Sequence, residues 1–531
     1  MLKRIASAML VLGITAALAQ PSPQSCSALA KASLTNVKIL SAAIVEAGAF
    51  PPPETTNDAP FYKQLPAFCR VTAQLIPSSD SDIKVELWMP VAAWNGKFRG
   101  QGNGGFAGVI DFDNLAVAVS LGYASAGTDT GHVGSGIDAT WALHHPEKII
   151  DFGYRAIHEM TQTARTLTAR FYDKAPTRSY FAACSDGGRE ALMEAQRYPD
   201  DYDGILAGAP ANNWSHLLTA AVNGVQELSG SSYIPAAKLP AIQSAVLAAC
   251  DKLDGVADGI LNDPRTCRFN PSTLLCKSTD TDQCLTAPQA AALKKLYAGT
   301  YETTGQLVFP GLLPGAELGN NGWGSWITGD APGKSAMYAF GTGFFTDMVY
   351  SNPNWTYTSF TVDAGLQAAV QKTATALDST DPNLKPFLSR GKLILYHGWN
   401  DPAISALNTV NYFNQVISVT GQQQTNASLR LYMAPGVQHC GEGPGPDSFG
   451  QFGDSPLFPL KDPQHNLYAA LEQWVEQGTA PSEIIATKYA GTGSTTHVTM
   501  TRPLCPYPEA ATYKGSGDIN NATNFTCTTP K

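Results

Sequence analysis

An α/β fold, with a mostly parallel sheet and a large inserted lid domain, is what this sequence predicts, on three observations. The stretch Tyr180-Phe-Ala-Ala-Cys184-Ser185-Asp186-Gly187-Gly188-Arg189-Glu190 runs from strand formers through a serine and two glycines directly into a helix-forming run. Strand and helix patterns alternate before and after it, as they do in a parallel sheet covered by helices. That alternation stops near Ala211 and resumes near Lys392, which marks the segment between as an insertion.

Taken in order, the chain opens with Lys3 and Arg4, an apolar run from Ala6 to Leu18, and Ala17-Leu18-Ala19 before Gln20. A basic start, a short apolar stretch and small residues at a cleavage position read as a signal peptide over residues 1–19, not as a membrane span. The mature chain is therefore expected to be secreted or periplasmic. Arg70 to Ile76 and Asp82 to Met89 alternate polar and apolar residues like half-buried antiparallel strands, joined by a turn at Pro77-Ser-Ser-Asp-Ser. Gln101-Gly-Asn-Gly104-Gly105-Phe-Ala-Gly108 follows a strand as a glycine-rich loop. Its pattern matches neither phosphate-cradling motif, so its expected use is to offer bare backbone N–H groups. Tyr123 to Gly127 reads as a short buried strand, and Asp151 to Tyr172 as a helix capped by Asp151. The serine turn comes next, then the strand Asp203 to Pro210.

Residues 211–388 carry helical pieces, four cysteines, many glycines and scattered tryptophans, and form the predicted lid. The catalytic domain is expected over 20–210 and 389–531. In its second part a strand ends at His397-Gly-Trp-Asn-Asp401, a helix spans about Ser405 to Ser418, and a strand runs from Ser428 to Met433. The loop of Gln438-His439-Cys440, a helix over Asn466 to Glu476, and a tail with two short strands complete the chain.

Composition bounds the function. A chain of 531 residues with 44% hydrophobic and 15% charged residues can bury a large core, and a formal charge of −9 disfavours nucleic acid or an anionic membrane as a partner. Ten cysteines in an exported chain suggest five disulfides. Connectivity is open on sequence alone, but short loops close at lower entropic cost. Local pairing joins Cys26 with Cys69, Cys250 with Cys267, Cys276 with Cys284, and Cys505 with Cys527, which leaves Cys184 for Cys440. That pair closes a very long loop, worth about 4–5 kcal/mol in the chain-entropy account. It would also bring together the neighbours of Ser185 and His439.

A serine needs a base to take its proton, and the imidazole needs a carboxylate to hold its tautomer. Ser185, Asp401 and His439 each follow a strand, in the order Ser, Asp, His of an α/β-hydrolase sheet. His397 is a rival base, ranked lower because it precedes Asp401 and lies nearer the strand. The oxyanion donors would be the backbone N–H of Asp186 and one from Gly104 or Gly105. A second constellation, Asp251, Asp254 and Asp258 with the carbonyls of Val256 and Ile260, offers the hard oxygen ligands calcium prefers, in a spacing unlike an EF-hand. Its expected role is structural, within the lid.

Together these stretches resemble the tannase/feruloyl esterase family, which also contains an enzyme that hydrolyses mono(hydroxyethyl) terephthalate. The resemblance runs over nearly the whole mature chain. It rests on Gly102-Asn-Gly-Gly-Phe, Asp151-Phe-Gly-Tyr-Arg-Ala, Cys184-Ser-Asp-Gly-Gly-Arg-Glu, Tyr202-Asp-Gly-Ile, the Asp251 loop, His397-Gly-Trp-Asn-Asp401 and His439-Cys440. It implies an α/β-hydrolase core with a lid, catalysis by Ser185, His439 and Asp401, a Cys184–Cys440 disulfide, and a calcium ion at the Asp251 loop. The implied substrates are small aromatic esters, gallate, hydroxycinnamate or terephthalate, of plant cell-wall or tannin origin in the first two cases. Trp323, Trp326, Phe344, Phe345 and Trp355 are candidates to stack on the substrate ring. Residues 269–389 contain no arginine for a terephthalate carboxylate, although Lys334 remains, and this favours a neutral phenolic ester. The competing class is a non-catalytic secreted protein that binds a glycan or phenolic, against which the intact Ser, Asp and His count.

Overall fold

The computed structural model describes residues 23–54, 59–451, 462–492 and 495–530. The expected signal peptide lies outside the described residues. Among them, no helix is long and apolar enough to cross a membrane.

Among the described residues, eleven strands lead up to the His439 loop: β1 Val37–Val45, β2 Phe68–Leu75, β3 Ile83–Pro90, β4 Lys97–Gln101, β5 Ala124–Thr128, β6 Arg178–Cys184, β7 Gly204–Gly208, β8 Gly299–Tyr301, β9 Leu307–Pro310, β10 Lys392–Gly398 and β11 Leu429–Ala434. Nine of them form one sheet in the order β1-β2-β3-β5-β4-β6-β7-β10-β11. The β1 to β3 edge and its junction with β5 are antiparallel, whereas every pairing from β5 to β11 is parallel. The predicted α/β-hydrolase architecture is therefore present. The insertion contributes only the separate hairpin β8–β9 and no strand of the main sheet.

Alternation along the central strands divides their side chains between two cores. Phe181, Ile205, Ala207, Leu393, Leu395, Leu431 and Met433 face the helix Ala156–Tyr172 and the helix Ala406–Thr420. Tyr180, Ala182, Leu206, Ile394, Tyr396 and Tyr432 face the helix Leu467–Gln477. Being covered on both faces, these strands carry apolar residues on both sides of their middle stretches, with charged residues such as Arg178 and Lys392 at their starts.

Two readings of local structure are corrected. Asp151 does not cap a helix: the helix begins a turn earlier, with Pro146 at its start, and Asp151 sits in a widened π turn over Asp151–Arg155. Its buried carboxylate accepts from Arg155 Nε, one helical turn on, at 2.6 Å and from Ser81 Oγ at 3.2 Å, the second a contact across the fold that no local pattern announces. The tail holds four strands and not two, as the hairpins Ile484–Ala490 with His497–Leu504 and Ala510–Tyr513 with Phe525–Thr528. All five cysteine pairs form as local pairing suggested, and Cys184 and Cys440 lie 6.0 Å apart at Cα.

The helix after Ser185 buries a carboxyl group far from the serine. Glu194 is 1% exposed, and among the described residues no donor is aimed at either of its oxygens. Burial first, and then the negative charge of Asp201, raise its carboxyl well above the ordinary range. A raised pKa means the folded chain holds this proton to higher pH than the unfolded chain does. The resulting stability is complete below the ordinary glutamate pKa and is lost as pH rises through the folded value. Glu194→Gln should therefore flatten part of the alkaline decline of Tm, measured by thermal unfolding from pH 5 to 9. Parallel Tm profiles for the two proteins would contradict it.

Candidate functional site

Ser185 sits at the end of β6 with φ 66° and ψ −121°, an uncommon conformation for a residue with a side chain. Strain of this kind typically amounts to ~1–3 kcal/mol and persists only where the surroundings impose it. Here they do. The Ser185 N–H donates to the Gly208 carbonyl at 3.0 Å, and the Ser185 carbonyl accepts from Ala211 N–H at 3.1 Å. The glycines that follow are required by contact: a Cβ on Gly188 would lie 2.2 Å from the Gly208 carbonyl oxygen, and one on Gly187 2.4 Å from the Ala183 Cβ.

Asp401 lies three residues beyond β10 and His439 five beyond β11. His439 Nε2 is 2.9 Å from Ser185 Oγ, and its Nδ1 is 2.8 Å from Asp401 Oδ2. The other Asp401 oxygen accepts from the N–H groups of Ala403 at 2.8 Å and Ile404 at 2.9 Å. Burial alone would raise the Asp401 carboxyl, but the charge of His439 and hydrogen bonds from His397 and His439 hold it well below the usual carboxylate range. His397 is thus not a rival for the serine. Its Nε2 stands 3.2 Å from Asp401 Oδ2, and its Nδ1 is 2.8 Å from Thr409 Oγ1. It is a second partner of the carboxylate, a role that sequence order could not reveal.

Around this line is a set of buried ties. Asn103 joins the glycine-rich loop to the serine helix, since its N–H donates to Glu190 Oε2 at 2.9 Å and its carbonyl accepts from Gly187 N–H at 2.8 Å. Arg189, fully buried, donates to Asp186 Oδ1 at 2.6 Å and to the carbonyls of Gly153 at 2.6 Å and Phe152 at 3.0 Å. Its guanidinium lies 4.7 Å from the Phe152 ring centroid and 5.4 Å from that of Trp214. The Asp151-Phe-Gly-Tyr-Arg-Ala stretch thereby serves the serine turn from a distance. On the far side, the insertion holds the histidine loop. Asn321 Nδ2 donates to the His439 carbonyl at 2.6 Å, and Gln438 Nε2 donates to the carbonyls of Ala316 at 2.8 Å and Leu318 at 2.6 Å.

Gly105, Ser185, Asp186 and His439 line one cavity, roofed by the helix Trp214–Glu227, by β9 and by Trp326 and Phe340 of the insertion. Gly104 lies beside it, with no atom within 4 Å of a Cβ placed there. Of the five aromatic residues singled out for substrate stacking, Trp326 lines the cavity, edge-on to the His439 ring at 4.8 Å. The other four do not. Trp323 packs on Tyr297, and Phe344, Phe345 and Trp355 pack in an apolar cluster that joins the insertion to Phe106 and Phe152. Phe340, nearly parallel to Trp326 at 6.0 Å, was missed because its helix carries apolar residues on every side.

The Asp251 loop lies where the insertion meets the tail. Asp251 Oδ1 accepts from Gly259 N–H at 3.0 Å, Asp254 from Val256 and Asn262 N–H at 3.0 and 3.2 Å, and Asp258 Oδ2 from Arg502 Nη2 at 2.7 Å. Burial, and behind it the charge of Asp258, raises the Asp254 carboxyl. Carboxylates crowded in this way offer the oxygen ligands that suit a hard divalent cation, with Arg502 already neutralising part of their charge. Among the described residues, the triads of His, Cys and acidic side chains that converge within 4.8 Å are Cys276, Asp280 and Cys284, and His158, Glu194 and Asp201; the Asp251 loop is not one of them.

Known proteins resemble this chain over nearly its whole length. An uncharacterized esterase of Xanthomonas campestris pv. campestris is 40% identical over 528 residues, covering 94% of this chain and 91% of the relative. A probable feruloyl esterase B-2 of Aspergillus terreus is 32% identical over 467 residues, 86% of each chain. The crystal structure of feruloyl esterase B from Aspergillus oryzae superposes with a TM-score of 0.86 at 30% identity, over 95% of this chain and all of that one. A tannin acyl hydrolase from Aspergillus niger shares the fold, with a TM-score of 0.73 at 22% identity over 96% of this chain and 95% of its own. The family model for tannase and feruloyl esterase matches residues 69–528. The chain is a carboxylic ester hydrolase and belongs to the tannase and feruloyl esterase family.

Proposed function

We propose that this protein is an exported serine esterase that cleaves esters of hydroxycinnamic acids such as ferulate, or of gallate, by way of an acyl-enzyme. The observation that carries the proposal is the hydrogen-bonded line from Ser185 Oγ through His439 to Asp401 at one end of an apolar cavity. In the first step Ser185 Oγ attacks the ester carbonyl carbon while His439 Nε2 takes its proton, and the tetrahedral oxyanion points at the backbone N–H of Asp186 and of Gly104 or Gly105. His439 then returns the proton to the departing alcohol oxygen. In the second step water, deprotonated by His439, attacks the acyl carbon, and Ser185 leaves with its proton restored. Asp401 keeps the imidazole in the tautomer with hydrogen on Nδ1 and steadies the imidazolium, which its lowered pKa allows at any ordinary pH.

The cavity chemistry favours phenolic esters over a terephthalate monoester. Among the described residues no arginine lines it, and Lys334 is not one of its lining residues. The lysine that does line it, Lys295, is paired with Glu227 at 2.6 Å and 60% exposed, so its charge is already partnered. Export accords with the leader-like start of the sequence and with the five disulfides. A calcium ion held by the Asp251, Asp254 and Asp258 carboxylates and the Val256 and Ile260 carbonyls would relieve their mutual repulsion and pin the insertion to the tail, with no part in the ester chemistry.

Hydrolysis of methyl ferulate, methyl gallate and mono(hydroxyethyl) terephthalate should be measured side by side for the wild type and Ser185→Ala. We expect the phenolic esters to lead, and Ser185→Ala to lower kcat by about 10⁴-fold or more. Equal rates for the two proteins would sink the triad, a terephthalate preference would reverse the substrate order, and tight phenolic binding without turnover would favour a non-catalytic binding protein. For the ion, dialysis against a calcium chelator should lower Tm by several degrees, with recovery on adding calcium, and Asp254→Asn should lose that response. A Tm indifferent to both treatments would remove calcium from the account.

A further inference from the structure

The cavity is a channel laid along one helix. Ala211, just before the helix Trp214–Glu227, is hydrogen-bonded to the Ser185 carbonyl, so the helix starts at the serine and leads away from it. Its cavity face is apolar through Trp214, Leu217, Leu218 and Ala221, and becomes polar at Asn223 and Glu227. Thr300 of β8, 5% exposed, faces Asn223, whose Nδ2 donates to its Oγ1 at 3.2 Å. That bond uses one amide N–H and leaves the Asn223 carbonyl oxygen as an acceptor, together with a second N–H. A hydrogen-bonding pair at the far end of an apolar channel is suited to a neutral ligand with one polar group at its tip.

Helix geometry sets the length of that ligand. Nine residues separate Trp214 from Asn223, a rise of about 13 Å. From bond lengths and angles, a 4-hydroxycinnamoyl group spans roughly 8 Å from carbonyl carbon to ring oxygen, and a galloyl group roughly 6 Å. With a hydrogen bond of about 3 Å added, the cinnamoyl hydroxyl comes within roughly 2 Å of the Asn223 level, a gap the asparagine side chain can span, and the galloyl hydroxyl stops roughly 4 Å short. We propose that Asn223, held by Thr300, recognises the ring hydroxyl of a hydroxycinnamoyl group whose carbonyl lies at Ser185, and so selects phenylpropenoyl over benzoyl esters. The inference rests on the esterase reading given above.

The test is a ratio of kcat/KM values for methyl p-coumarate over methyl cinnamate, which differ only by the hydroxyl, in the wild type, Asn223→Leu and Thr300→Val. The expected wild-type ratio is about tenfold or more, since a site built for a hydroxyl rejects the analogue that lacks it. Asn223→Leu should bring the ratio close to one and Thr300→Val should lower it partway, while the ratio for methyl 4-hydroxybenzoate over methyl benzoate stays near one in all three proteins. Hydrolysis of both cinnamoyl esters by the wild type with equal kcat/KM, or an unchanged ratio in Asn223→Leu, would overturn the recognition and leave the esterase reading standing. No hydrolysis of any ester by the wild type would overturn both.

Discussion

The bond between Cys184 and Cys440 is the constraint on which the site depends. It joins residues 256 apart in sequence, each the direct neighbour of a residue in the hydrogen-bonded line. Ser185 and Cys440 both have positive φ, so both turns hold conformations that free chains avoid. A covalent link between two strained turns limits how far either can relax. A backbone shift of 1 Å at either turn would stretch the 2.9 Å contact between His439 and Ser185 beyond hydrogen-bonding range.

Polar burial does the rest of the positioning. Asn103 gives its N–H to Glu190 and accepts from Gly187, so the loop with the oxyanion candidates moves with the serine helix. Arg189 joins that helix to the Phe152 and Gly153 carbonyls, and on the histidine side Asn321 and Gln438 tie the loop to the insertion. These groups are costly to bury unpaired and specific once paired, which is how a polar network fixes one arrangement of the backbone. The insertion is therefore more than a cover. It supplies part of the cavity wall and several of the bonds that hold His439 in place.

Much of this was legible in the sequence because the features concerned are local. Strand alternation and the serine between strand formers and glycines depend on a few adjacent residues, and the order Ser, Asp, His and the cysteine spacing are read directly along the chain. What escaped depends on contacts made across the fold. Asp151 has the place of a helix cap, an acidic residue before an amphipathic run; it pairs with Arg155 one turn on, and its second partner is a serine 70 residues away. His397 looked like a competing base, and only packing shows it on the carboxylate side of Asp401. Among the aromatic residues of the insertion, sequence cannot separate Trp326, which faces the cavity, from Trp323, three residues earlier and 1% exposed. Asn223 and Lys295 carried no motif, and the channel alone gives them meaning.

Covalent trapping reports on whether His439 activates Ser185. A p-nitrophenyl phosphonate ester transfers its phosphonyl group to a serine activated by a neighbouring base, and intact mass with peptide mapping then counts and places the adduct. A serine activated by His439 gives one adduct per chain, on Ser185, formed at least a hundredfold more slowly in His439→Ala. An adduct on another residue, or labelling of Ser185 at an undiminished rate without His439, would contradict it.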